Sequence, residues 1–177
     1  MEGESWKKEF VPILFILLIA FALRLYRLDG QSLWLDEGGS YWFAVQPLAQ
    51  TLGQTFSSEP NPPLYYVLLH YWVKAAGTTE FSLRFLSLWM GVALVAVVYR
   101  LGRDLLSTGA AIFAAALATA SAYLVWYSQE TRMYALLALT AAAAAVFLWR
   151  ALERGGSWWG AFGAMGLAAL YSHLYAL

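Results

Sequence analysis

The sequence predicts an all-α protein: a polytopic transmembrane helical bundle of about five spans, with short interfacial helices in its first outer loop. Three observations carry that expectation. Hydrophobic side chains make up 61% of the 177 residues and charged ones only 12%, against roughly a quarter charged in an ordinary soluble domain. Apolar runs of about 17–20 residues recur along the chain, most of them flanked by arginine or lysine. Between the first and second runs lies a proline- and aromatic-rich stretch whose apolar pieces are too short to cross a bilayer.

A mean hydropathy of +0.57 excludes a soluble globular enzyme and a disordered tail. Eleven basic residues balance eleven acidic ones, so no basic surface points to nucleic acid. The chain has no cysteine, and with it no disulfide framework, thiolate metal site or thiol nucleophile.

The first span is read at residues 10–26, entered by Lys7 and Lys8 and left at Arg24 and Arg27. It lacks a small-residue cleavage site and reads as a retained helix. The outer loop occupies residues 27–80. Within it, residues 63–76 would make a helix of roughly 21 Å, short of the ~30 Å hydrocarbon core. That piece carries His70 and Lys74 and is read as an interfacial helix; a second is read at residues 39–56. Further spans are expected at 81–99, 109–126, 133–149 and 158–177. Alanine-rich tracts such as 141–145 suit close helix packing in lipid.

With residues 63–76 off the membrane normal, one side receives Lys7, Lys8, Arg100, Arg103, Arg150 and Arg154 in short segments. The other receives Arg24, Arg27, Lys74, Arg84 and Arg132 over a longer stretch. That contrast in density places the N-terminus in the cytoplasm. It also gathers Asp29, Asp36, Glu37, Glu59, Glu80, Glu130 and His173 on or near the outer face, as a single site requires.

The acidic pair Asp36-Glu37 follows the first span. A carboxylate at a membrane boundary suits general-base work on an acceptor hydroxyl or amine, and it equally suits capping of the next helix. Glu59 precedes Pro60, Pro62 and Pro63, which stiffen its loop; it reads as a metal or substrate ligand or as a solvated loop acid. His70 stands among Tyr65, Tyr66, Tyr71 and Trp72, the composition of an interface belt as much as of a ligand site. The polar island 128–134 joins two spans by a short turn, and its Glu130 and Arg132 read either as an ion pair fixing that turn or as substrate contacts. His173, in the last expected span, is a ligand or an interhelical hydrogen-bonding group. The arginines Arg24, Arg27, Arg84 and Arg132 suit a lipid-linked phosphate, or snorkelling to headgroups.

Taken in order, Arg24, Trp34-Leu35-Asp36-Glu37, Glu59-x-x-Pro62-Pro63-Leu64-Tyr65-Tyr66, His70, Glu80-Phe81-Ser82-Leu83-Arg84 and Tyr127-Ser128-Gln129-Glu130-x-Arg132-Met133-Tyr134 form a pattern. It resembles the dolichyl-phosphate-mannose–protein mannosyltransferase family, whose bacterial branch includes aminoarabinose transferases. The resemblance implies a GT-C membrane glycosyltransferase that moves a sugar from a polyprenyl-phosphate carrier to an acceptor on the outer face of the bacterial cytoplasmic membrane. Residues 1–177 then correspond to the N-terminal part of a GT-C module, since such enzymes usually have more spans and a C-terminal outer domain. By the same resemblance Asp36 is the expected general base, with Glu37 its companion. Arg84, Gln129, Glu130, Arg132 and Tyr134 lie near the donor phosphate, and Glu59, His70 and His173 are the candidates for a divalent metal or the acceptor. The implied partners are the polyprenyl-phosphate-linked sugar and the lipid bilayer. Other membrane subunits, or a missing C-terminal region, would be further partners. A truncated, non-catalytic GT-C-like scaffold is the competing expectation.

Overall fold

The computed structural model describes residues 2–57 and 61–176, and the secondary structure among them is entirely helical. Helix α1 (Glu2–Leu25) leads into a turn and then α2 (Leu35–Val45). The Glu37 side chain, in the first turn of α2, reaches back to accept from the Trp34 N–H at 3.4 Å and so ties down its start. The single helix expected at 39–56 is two. Pro47 forces Gln46 into an extended conformation, ψ 159°, which ends α2 before α3 (Leu48–Ser57) begins.

The piece expected at 63–76 is α4 (Leu64–Ala76), started by the rigid Pro62-Pro63 and stopped at Gly77, whose φ of 84° suits glycine. Its N-terminal Leu64 N–H donates to the Tyr171 carbonyl at 3.0 Å, joining the loop to the far end of the chain. Helix α5 (Glu80–Leu105) is capped by Thr79, whose hydroxyl accepts from the Ser82 N–H at 3.2 Å.

The span expected at 109–126 is broken. Helix α6 (Thr108–Ala120) and α7 (Ala122–Ser128) meet at Ser121 with a bend of 61°. Ser121 is at once the end of α6 and the N-cap of α7, its hydroxyl accepting from the Leu124 N–H. After a polar turn, α8 (Tyr134–Arg154) runs to Gly155, and α9 (Trp158–Leu170) closes the bundle.

By length and composition α5 and α8 can each cross a membrane, and the bent α6–α7 pair makes a third. The apolar parts of α1 (Phe10–Leu25) and α9 are shorter, so the expected count of about five full spans is not reached on that criterion. The last span expected to 177 ends at Leu170. The chain turns there and forms a short 3₁₀ helix at Leu174–Ala176, which leaves His173 beyond the helix and not inside it.

Helix α5 is the axis. It packs on α1, α6 and α7 along one side and on α4 and α8 along the other. Small residues let α1, α5 and α6 approach closely around Ala20, Val95, Ala115 and Ala118. A Cβ at Gly102 would come within 2.7 Å of the Ala111 backbone, so α5 and α6 touch there only because Gly102 has none. A second buried cluster, including Phe43, Tyr65, Tyr66, Leu83 and Met133, joins α2 and α4 to the start of α5 and the turn before α8.

Because α5 and α8 run antiparallel, charged residues collect at two ends. At one, Asp104 binds Arg100 at 2.9 Å and Arg150 at 3.1 Å. The other, about 24 Å away along α5, holds Arg84, Glu37 and the turn before α8.

Candidate active site

Arg84, one turn into α5, is 2% exposed and pairs with Glu37, which is 1% exposed. Its Nε donates to Glu37 Oε1 at 2.8 Å and its Nη2 to Oε2 at 2.6 Å. Nη1 donates to the carbonyls of Leu28 (3.0 Å) and Gln31 (2.8 Å), and Nη2 also to that of Ser32 (3.2 Å). A guanidinium has five N–H groups, and here all of them have acceptors.

Glu37 is equally engaged. Its Oε1 also accepts from the Thr131 N–H at 2.8 Å and its Oε2 from that of Trp34. Burial alone would raise this carboxyl. The Arg84 hydrogen bonds, the Thr131 N–H, the Arg84 charge and the Trp34 N–H outweigh it and hold Glu37 below the usual carboxylate range. One ion pair thus fastens α5, the 28–32 loop, the start of α2 and the 129–133 turn to each other.

The turn behaves differently. Glu130 is 9% exposed. Its Oε1 accepts from the Trp126 indole N–H at 2.6 Å, while its Oε2 is buried with no hydrogen-bond partner. Burial pushes the Glu130 carboxyl upward; the indole N–H and Arg132 pull it down, and the charges of Glu37 and Asp36 push it further up, leaving it raised. Thr131 Oγ1 and Arg132 Nε are likewise buried without a partner. Arg132 Nη1 donates to the Asp36 carbonyl at 3.2 Å and to Ser40 Oγ at 3.4 Å, and its guanidinium lies 5.9 Å from the centre of the Tyr134 ring.

The turn is anchored from below. Gln129 Nε2 donates to the carbonyls of Arg24 (3.0 Å) and Tyr26 (2.9 Å) at the end of α1. Arg24 does not snorkel outward. It is fully buried, donating to Ser128 Oγ (3.2 Å), the Ala20 carbonyl (3.2 Å) and the Ala118 carbonyl (3.3 Å). A continuous helix would direct the Ala118 carbonyl to residue 122, so the break at Ser121 frees it for Arg24. Gly91 is essential to this junction, because a Cβ there would overlap Ser128 Oγ and crowd Arg24 Nε. Nothing in the sequence pattern marks Ser128, Gly91 and Ser121 as one unit.

Loop and turn enclose a cavity of about 410 Å³. Glu37, Arg84, Gln129, Glu130 and Tyr134 line it together with the aromatic rings of Trp34, Trp126 and Tyr127. Asp36 is half-buried and is not among the residues that line the cavity; its carboxylate makes no hydrogen bond or ion pair to a described residue. Glu59 lies outside the described residues. His70 is buried on α4 and its Nδ1–H donates to the Ala44 carbonyl at 2.8 Å, a helix-to-helix tie between α4 and α2. His173 packs on the Tyr134 ring, centroids 5.5 Å apart; burial and the nearby Arg132 charge lower its pKa and favour the neutral ring. Among the described residues no three His, Asp or Glu side chains come together as a metal site, and the pair His70 and His173 is held by separate neighbours.

The arrangement is a polar, half-aromatic pocket at one end of a membrane bundle, lined by a closed ion pair and by Glu130, whereas Thr131 and Arg132 are not part of its lining. Residues 60–176 match the family model described as dolichyl-phosphate-mannose-protein mannosyltransferase, a match that takes in Arg84 and the 129–134 turn but not Asp36 or Glu37. No curated protein and no solved structure matches the chain. The chain therefore belongs to the dolichyl-phosphate-mannose-protein mannosyltransferase family of membrane glycosyltransferases.

Proposed function

We propose that this protein transfers a sugar from a polyprenyl-phosphate carrier to an acceptor at the outer face of the bacterial cytoplasmic membrane, through a GT-C-type site at the Glu37 end of the bundle. The observation that supports the reading is the cavity at the junction of the 28–37 loop and the 129–133 turn, lined by an ion pair with no free donor and by Glu130, one of whose oxygens has no partner. The opposite end, with Arg100, Arg103, Arg150 and Arg154, faces the cytoplasm in this reading.

The reaction needs three things. The acceptor oxygen or nitrogen attacks the anomeric carbon as the bond from that carbon to the phosphate oxygen breaks, with inversion. The acceptor proton goes to a carboxylate, and Asp36 is the one whose oxygens are not already engaged. The electron pair leaves with the phosphate, whose growing charge needs a donor. Arg132 fills that role because its Nε is unpartnered, whereas every N–H of Arg84 is occupied. Glu37 and Arg84 then hold the frame, and Gln129 and Tyr134 set the position of the turn and its ring wall.

A scaffold reading draws on one feature, the face of α9 at Gly160, Gly163 and Gly166, where a Cβ would meet nothing within 4 Å. The two readings part in one experiment. The full chain in lipid nanodiscs is titrated with a polyprenyl-phosphate-linked sugar and with the free polyprenol, and sugar release is followed. Binding of the phosphate-linked sugar alone, with release lost in Asp36→Asn at unchanged affinity, supports the transferase. Equal binding of both lipids would overturn it.

A further inference from the structure

Glu130 presents an unusual combination in the cavity wall. It is more than nine-tenths buried, one oxygen is held by the Trp126 indole at 2.6 Å, and the other has no partner. The charged and titratable groups acting on it are Glu37 and Asp36 from α2, Arg84 from α5, Tyr65 from α4, Tyr127 from α7 and Arg132 from its own turn. Glu37 and Arg84 cancel as a closed pair. Arg132 acts on Glu130 against the like charge of Asp36, so an ionised Glu130 would add a second carboxylate charge to the one cation that offsets it there among the described residues. A phosphate entering that space would be repelled by more charge than Arg132 offsets.

A neutral Glu130 removes the conflict. Its Oε1 already accepts a hydrogen bond, so the acid hydrogen sits on Oε2, the oxygen that lacks a partner. Resting on the donor assignment above, we propose that Glu130 meets the donor's phosphate as a carboxylic acid, donating its Oε2 hydrogen to a phosphate oxygen, so that at any pH where the free protein's Glu130 is ionised donor binding takes up one proton there. The charge that builds on the leaving phosphate strengthens this hydrogen bond as the anomeric bond breaks. Burial, together with Glu37 and Asp36, keeps the carboxyl raised toward the neutral form before the ligand arrives.

The test uses a lipid whose own charge does not change with pH. A polyprenyl phosphate methyl ester, a phosphodiester, is titrated into the full chain in nanodiscs from pH 5 to pH 9, against wild type and Glu130→Gln. Glutamine offers an accepting oxygen to the indole and an N–H in place of the acid hydrogen. Wild-type affinity is expected to hold at low pH and then fall about tenfold per pH unit once Glu130 ionises, while Glu130→Gln stays tight and flat. Parallel profiles for the two proteins would overturn the proposal, as would loss of binding at every pH in a Glu130→Gln protein that melts like wild type. Absence of phosphodiester binding above the polyprenol control at any pH would remove the donor assignment as well, which separates the two failures.

Discussion

The 28–37 loop and the 129–133 turn meet at one cavity and treat their polar atoms in opposite ways. On the loop side Arg84 gives all five N–H groups to Glu37 and three carbonyls, and Glu37 accepts from two further backbone N–H groups. On the turn side Glu130 Oε2, Thr131 Oγ1 and Arg132 Nε, in three consecutive residues, are buried with no partner. Buried polar groups in folded proteins are normally satisfied, so three lapses in a row, the first of them in the cavity-lining Glu130, single out this turn as the place where the proposed ligand would complete the hydrogen bonding. The comparison teaches that charge and burial alone do not identify a binding residue. Arg84 and Arg132 are both buried arginines at the same end of the bundle, and only the second has donors to offer.

The largest effect follows from breaking the satisfied side. Glu37→Ala strands the Arg84 charge and is expected to cost about 3–5 kcal/mol, seen as a fall in the thermal unfolding midpoint in detergent. Replacing Glu37 and Arg84 together by apolar residues recovers part of that loss, because no charge is then left alone. Gly91→Ala pushes Ser128 away from Arg24 beneath the turn and costs about 1–3 kcal/mol by overpacking, read in the same melt.

A smaller effect separates the two carboxylates by the sign of their pH dependence. Glu37 sits below its unfolded value of about 4.3, so its stabilisation is complete above that pH and is lost as pH falls through the folded value. Glu130 sits above it, so the stability associated with its neutral form is present below about pH 4.3 and lost as pH rises through the folded value. Glu37→Gln is therefore less stable than wild type at pH 7 with the gap closing toward acid. Glu130→Gln matches wild type near pH 4 and becomes the more stable protein at pH 8. Melting curves across that range check both signs. Trp126→Phe, which removes the indole donor from Glu130, moves the Glu130 transition to higher pH.

Much of the helical layout was legible because hydropathy and proline report it directly. The short helix after Pro63, the two long apolar helices that carry Arg100 and Arg150 near their ends, and the polar turn at 129–133 all follow from composition. The break at Ser121 was not, since residues 109–126 are apolar apart from Thr119 and Ser121 and a single serine as an N-cap leaves little trace in hydropathy. The Glu37–Arg84 pair was also hidden. The partners are 47 residues apart and each suggested a role of its own, one in catalysis and one in phosphate binding. Which arginine keeps free donors depends on three loop carbonyls, and no side-chain pattern encodes where carbonyls point. The inward turn of Arg24 has the same origin, because its acceptors are Ser128 and two backbone oxygens.

The direct test of the contrast between loop and turn is the affinity of Arg132→Ala for a polyprenyl phosphodiester in nanodiscs, measured with its unfolding midpoint. With the turn as the phosphate-binding wall, the variant melts within a few degrees of wild type and binds at least about tenfold more weakly, as expected for losing a hydrogen bond to a charged group. Undiminished affinity in that folded variant would contradict it.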